Sequence, residues 1–155
     1  MEKFSASARG EIMIDRPVQD VWEWLLKFPP HAPTVKTAEL VSGEWDKQGR
    51  VLLITKKHAM APFYLKCIKM DPCKQLVNKI DTKDNDTARC ISDTFNDITL
   101  REVDGKTLVM FSNFATYAPQ GEYSLDFDIV QGPKADEGMQ SGFLKPLKEF
   151  VENNC

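Results

Sequence analysis

Two long strand-like runs, Ala88–Val103 and Lys106–Tyr117, flank Asp104-Gly105. An Asp-Gly pair supplies the positive φ angles of a two-residue hairpin turn, and such a turn sets the register of both strands. Counting outward, one face pairs Leu100 with Val109, Ile98 with Phe111, Asn96 with Asn113, Thr94 with Ala115 and Ser92 with Tyr117. The other face pairs Arg101 with Leu108, Thr99 with Met110, Asp97 with Ser112, Phe95 with Phe114 and Asp93 with Thr116. The first face carries no charge and grades from aliphatic side chains near the turn to hydroxyls and amides further out. That gradient suits an apolar cavity in which a few polar groups orient a ligand. Asn96, Asn113, Tyr117, Thr94 and Ser92 are the polar candidates, with Ile98 and Phe111 as apolar wall. A structural alternative stands beside this: Asn96 and Asn113 can bond to each other, since buried amides must find partners.

Other reactive side chains are less placed. Tyr64 and Lys79 face inward in one register of their hairpin and outward in another. An inward lysine would titrate low enough to act as a base; an outward one is a solvated charge. His58 precedes the apolar tip Ala59-Met60-Ala61-Pro62 and is either a gate or a surface histidine. His31 lies in a proline turn, and Glu11 on the polar side of the first strand. The cysteines Cys67, Cys73, Cys90 and Cys155 form no C-x-x-C pair, and two histidines add little, so no metal site is expected. Asn85-Asp86-Thr87 fits the glycosylation sequon, a short pattern common by chance. Gly138-Met139-Gln140-Ser141-Gly142 lacks nucleophile-elbow spacing, no phosphate-binding glycine loop is present, and Asp81–Asp86 lacks the glycine and distal glutamate of a calcium loop. No catalytic residue follows from spacing, and no cofactor is expected.

The positioning elements are legible. Phe4–Ile14 alternates as a strand, with Phe4, Ala6, Ala8, Gly10, Ile12 and Ile14 on one face. Pro17 suits a first helical turn, and Val18, Val21, Trp22, Leu25 and Leu26 share a helical face. Trp22 reads as core; Trp24 and Trp45 are expected to be partly exposed. Pro29-Pro30 and Pro33 end that helix. Strands are expected over Thr37–Glu44, Arg50–Lys56, Pro62–Met70 and Gln75–Thr82, and Tyr123–Val130 alternates as a strand or an extended crossover. Ala135–Asn153 reads as a helix with Met139, Phe143, Leu147, Phe150 and Val151 on one face and a kink at Pro146. Met139, Phe143 and Leu147 cover the sheet, as core or as cavity lining.

With 155 residues, 42% apolar and 28% charged, the chain reads as one domain spanning 1–155 that needs no metal or disulfide staple. The net charge of −3 is dispersed, which argues against nucleic acid as a partner. No secretory signal or spanning run is visible, so a cytoplasmic location without stable membrane insertion is expected.

Gly10-Glu11-Ile12-Met13-Ile14-Asp15-Arg16-Pro17-Val18-Gln19-Asp20-Val21-Trp22-Glu23-Trp24-Leu25 resembles the strand, Asp-x-Pro and Val-Trp-x-x-Leu entry of the START-like, or SRPBCC, superfamily. Ala38–Gly43 with Gly49 resembles its second and third strands, and Gly138–Phe150 its closing helix. The resemblance implies an α+β helix-grip: a curved antiparallel sheet of about seven strands around a long C-terminal helix, with a short helix after strand one. It transfers no catalytic residue, because the superfamily shares none. Pro29-Pro30-His31-Ala32-Pro33 stands where many members have an aromatic residue, and Gly121–Gly132 is longer than a minimal member needs. The implied function is binding of an apolar or amphipathic small molecule such as a lipid, sterol, quinone or polyketide. The alternatives are a cyclase- or isomerase-like enzyme moving protons through Tyr117, Asn96, Asn113 or Lys79, and a protein-binding member; oligomeric state is left open.

Overall fold

The first strand begins an unbroken antiparallel ladder. In a computed structural model of the chain, which describes residues 4–57, 62–81, 91–117 and 133–155, β1 (Phe4–Ile14) leads into α1 (Val18–Lys27) and a 3₁₀ turn (Pro29–His31). Six strands follow: β2 (Val35–Ser42), β3 (Val51–Lys56), β4 (Phe63–Asp71), β5 (Gln75–Asp81), β6 (Ile91–Val103) and β7 (Lys106–Tyr117). The chain closes with α2 (Pro133–Met139), a π-helical turn (Gln140–Leu144) and α3 (Lys145–Asn154). The strands form one seven-stranded sheet in the order β1-β7-β6-β5-β4-β3-β2. The expectations for His58, the Asn85 sequon, Cys90 and Tyr123–Val130 lie outside the described residues.

Local chemistry explains the joins. Pro17 sits at the helix N-cap, one residue ahead of the first turn, and its carbonyl accepts the N–H groups of Asp20 and Val21. Pro29 and Pro30 end α1 by removing two donors, and the chain tightens into the 3₁₀ turn. Asp104 and Gly105 take φ of 51° and 78°, the positive pair that a two-residue hairpin of this twist demands. The β6–β7 register matches the sequence expectation from Val103↔Lys106 as far as Asp93↔Thr116. It then slips: Ile91, not Ser92, stands opposite Tyr117. A bulge at Ser92 inserts one residue and breaks the expected Ser92–Tyr117 pair. A second irregularity lies between Cys67 and Lys69, which restores inward facing at Met70.

Pro146 does not simply kink the last helix. Lys145 N–H reaches back to the Gln140 carbonyl, which widens the turn ahead of the proline and starts α3 afresh with Pro146 in its first turn. The missing proline donor then falls where donors lack helical partners anyway. Leu144, Leu147 and Val151 form the fully buried stripe of the terminal helix, flanked by half-buried Phe143 and Phe150. They pack with Ile14, Val21, Trp22, Leu25, Phe28, Leu76, Ile98, Leu100, Val109 and Phe111 in the main core.

The helix also clasps the sheet edge. Arg9 N–H donates to Asp136 Oδ1 at 2.9 Å, Gln140 Nε2 donates to the Glu11 carbonyl at 2.8 Å, and Lys148 Nζ donates to the Met13 carbonyl at 2.8 Å. These are alternate residues of an edge strand whose outward polar groups would otherwise be open to another chain. Gly10 lies between them. A Cβ there would come within 3.0 Å of Leu144 Cδ1 and 3.1 Å of Gln140 Nε2, so any side chain at this position would have to push both of those side-chain ends aside. Gly10→Val is expected to lower stability by about 1–3 kcal/mol through overpacking, read as a lower urea midpoint at unchanged m-value.

Candidate functional site

The interior divides into two apolar clusters. The larger lies beneath α1 and the terminal helix; the smaller joins Val35, Leu52, Ile54 and Phe63 at the β2–β4 end. Between them is a half-open cavity of about 230 Å³. Phe28, Phe111 and Phe143 reach it from the main core, and Val35, Ile54, Phe63, Leu65 and Ile80 from the smaller cluster. Pro29 and Ala32 contribute from the proline-rich turn, and Gly142 from the π turn. Thr34, Lys56 and Asn96 are the polar lining residues.

Alternation dictates who faces in. Pairing runs Leu52↔Leu65↔Ile80↔Thr94 in one row and Cys67↔Asn78↔Asn96↔Asn113↔Ala8 in the next. Tyr64 and Lys79 therefore face outward. Tyr64 is exposed, and Lys79 Nζ lies 5.9 Å from the Phe95 ring on the outer side. This removes Lys79 from the interior proton carriers considered above. Of the other residues expected at a ligand, Asn96, Phe111 and Phe143 line the cavity. Ile98 and Leu147 belong to the main core, against which Met139 packs. Asn113 is half-buried beside Asn96 in its row, and Thr94 is buried with its hydroxyl oxygen unpartnered. The strand backbones at Ser92 and Tyr117 are described, but their side chains lie outside the described residues.

Lys56 is the site residue that sequence reasoning missed. It ends β3 on the inward phase, two residues beyond Ile54. Its ammonium donates to Thr34 Oγ1 at 3.0 Å and stands 5.9 Å from the Phe63 ring centre. Burial lowers its pKa, since an ammonium loses hydration there. The signal was available: Leu52, Ile54 and Lys56 alternate as one face, so the lysine continues an apolar stripe.

Arg50 was also unforeseen and is structural. It is 1% exposed, and its Nη1 donates to the Leu26 carbonyl at 3.0 Å and the Trp45 carbonyl at 2.9 Å. Its Nε has no partner among the described residues. Burial lowers its pKa against the opposing influence of Cys67, yet a guanidinium remains charged across ordinary pH. Burial raises the Cys67 thiol despite the nearby cation, so Cys67 is a protonated, inert thiol near neutrality. Among the described residues, no three His, Cys, Asp or Glu side chains gather as a metal site requires, and no helix is long and apolar enough to cross a membrane.

No protein-family model matches the chain, and no curated protein matches it in sequence. Solved structures match along nearly its whole length. Ara h 8.0201 superposes with a TM-score of 0.70 at 16% identity, over 97% of this chain and 100% of its own. Norcoclaurine synthase from Thalictrum flavum, as a point mutant with a transition-state analogue, gives 0.71 at 13% identity, over 99% and 98%. The ZhuI aromatase/cyclase from Streptomyces sp. R1128 gives 0.66 at 13%, over 97% and 93%. The chain shares the helix-grip fold with these structures: a seven-stranded antiparallel sheet packed against a long C-terminal helix.

Because Lys56 titrates lower in the folded chain, the unfolded chain holds the extra proton between the lowered value and the usual 10.5. Stability rises with pH in that window, and the penalty of burying the ammonium persists at every lower pH. Replacing Lys56 by Met removes the titration. The stability difference between parent and Lys56→Met should therefore shift in the parent's favour as pH rises from 7 toward 10.5, measured by urea unfolding at several pH values.

Proposed function

We propose that this protein binds an apolar or amphipathic small molecule in the cavity between the sheet and the terminal helix. The observation that carries this is the divided core. The half-open cavity of about 230 Å³ leaves apolar walls in contact with water that an apolar guest would displace. An interior that keeps such a gap, walled by aromatic and aliphatic side chains with three polar groups among them, has the make-up of a ligand site. The volume lies under the ~300–1,000 Å³ of sites for drug-sized ligands, which favours a guest of about one ring system over a sterol. Structural neighbours support aromatic or polyketide-like guests: one norcoclaurine synthase structure holds dopamine and hydroxybenzaldehyde, and ZhuI is an aromatase/cyclase.

A second reading is an enzyme of the cyclase or isomerase kind. Lys56 favours it, because burial lowers its pKa and so eases proton exchange with a substrate bound beside it. The two readings differ in what leaves the cavity: a carrier releases its guest unchanged.

Native mass spectrometry of freshly isolated protein should detect a bound organic molecule that denaturation releases for identification. Gly142 borders the cavity, and a Cβ there meets no atom within 4 Å. Gly142→Leu should fill the space, abolish the bound species and leave the urea midpoint unchanged or higher. Gly142→Ala alone should add roughly 0.5–1 kcal/mol by removing a glycine from a helical segment. A Gly142→Leu protein that retains its guest at full occupancy refutes the assignment of this cavity.

A further inference from the structure

The cavity is electrically lopsided. Among the described residues that line it, Lys56 is the one that carries a charge. Nearby acids are directed elsewhere. Asp81 pairs with Lys66 at 3.2 Å and Asp97 accepts from Gln75 at 2.9 Å, both on the outward phase of their strands, while Glu39 is exposed on β2. Lys56 is thus a partly desolvated cation whose hydrogen-bonding partner is a neutral hydroxyl, Thr34 Oγ1 at 3.0 Å. An ammonium has three donors, and among the described residues Thr34 takes one. The aromatic face of Phe63 at 5.9 Å adds attraction but no acceptor.

We propose that Lys56 and Thr34 form an anion-recognition point, and that the cavity takes a compact amphiphile carrying one carboxylate. Its apolar body lies against Ile54, Phe63, Leu65, Ile80, Phe111 and Phe143. The inference rests on reading the cavity as a ligand site and names the class of guest. Two considerations weigh against the other charge types. A cationic guest would bring a second positive charge beside Lys56 in a pocket where no acid among the described lining residues offsets it. A neutral guest would leave the ammonium without a counter-charge, and hydrogen bonds to ionised groups are roughly twice as strong as neutral ones. The lowered pKa of Lys56 agrees with this, since it marks a buried charge without compensation that a bound carboxylate would offset. The cavity of about 230 Å³ limits the guest to a ring with a short acid arm.

The test uses the full chain and three probes of nearly identical shape: 3-phenylpropanoate, 3-phenylpropanamide and 3-phenylpropylamine, titrated at pH 7 by calorimetry or amide chemical-shift mapping. The acid should bind about 10–100-fold more tightly than the amide, the gain expected of a charge-assisted bond, and the amine should bind most weakly. Lys56→Met should bring acid and amide to the same affinity while the amide's own affinity changes little. Lys56→Arg should keep the preference for the acid. Equal binding of acid and amide by the parent protein, or a preference that survives Lys56→Met, overturns the proposal and leaves the cavity assignment intact. Failure of all three probes to bind overturns the proposal as well, and if native mass spectrometry also finds no guest the cavity assignment falls with it. The ligand series on the parent protein decides the matter even if a variant fails to fold.

Discussion

The attachment of the C-terminal helix to the edge strand β1 governs the rest of the molecule. Three side chains of the helical segment, Asp136, Gln140 and Lys148, bond to backbone groups of Arg9, Glu11 and Met13 in alternate positions along the strand. Hydrophobic burial alone would let a helix slide over a curved sheet, because apolar contact has no direction. Hydrogen bonds to a strand backbone do have direction, and their spacing follows the strand's two-residue repeat. Gly10 permits the helix to approach closely at that edge, where Leu144 meets it. The helix is thus committed to the β1 side, and its buried stripe joins the main core with β5, β6, β7 and α1. The β2–β4 end is left to a cluster of its own, with the cavity at the junction.

The opposite wall is held by a different device. The chain must cross from one edge of the sheet to the other between β1 and β2, and α1 with the proline turn makes that crossing. Arg50 ties the end of α1 to the β2–β3 connection through the carbonyls of Leu26 and Trp45. A cation is well placed there, since helix carbonyls at a C-terminus lack helical partners and carry partial negative charge. Gly43, at φ 78°, lets the connection fold back, because a Cβ there would sit 2.9 Å from Arg50 Cα. This anchoring positions Phe28, Pro29, Ala32 and Thr34 along the cavity. Lys56 owes its partner Thr34 to the same arrangement, since the two residues are brought together across the β2–β3 end.

Much of the fold was legible because it depends on short-range rules. Asp104-Gly105 set the β6–β7 register over most of its length, and the prolines after Lys27 bounded α1. Legibility failed where a strand departed from strict alternation or where two distant segments met. The bulge at Ser92 leaves no mark in residue types, so the Ser92–Tyr117 pairing looked as sound as its neighbours. The facing of Tyr64 and Lys79 depended on the register of a turn that reads as four residues in sequence; in the structure Asp71 pairs with Gln75, leaving a three-residue turn in which Cys73 takes a left-handed φ of 64°. The grouping of Asn96, Phe111 and Phe143 at one site was partly foreseeable, because two of them lie on one hairpin face. That Ile98, on the same face, belongs to the core was not foreseeable, because lining a cavity and packing a core use the same side chains.

The amino-acid order alone determined the elements, their alternation and the uncharged inner face of the β6–β7 hairpin, since each follows from backbone geometry acting over a few residues. It left undecided which stretch of that face would be covered. Tertiary structure settled this by clasping the helix to β1 and anchoring the crossing segment through Arg50. Those contacts join residues more than a hundred positions apart in one case and twenty-four in the other. Over such separations no local pattern specifies a partner, and the charge of Lys56 acquires its meaning only from what the folded chain leaves beside it.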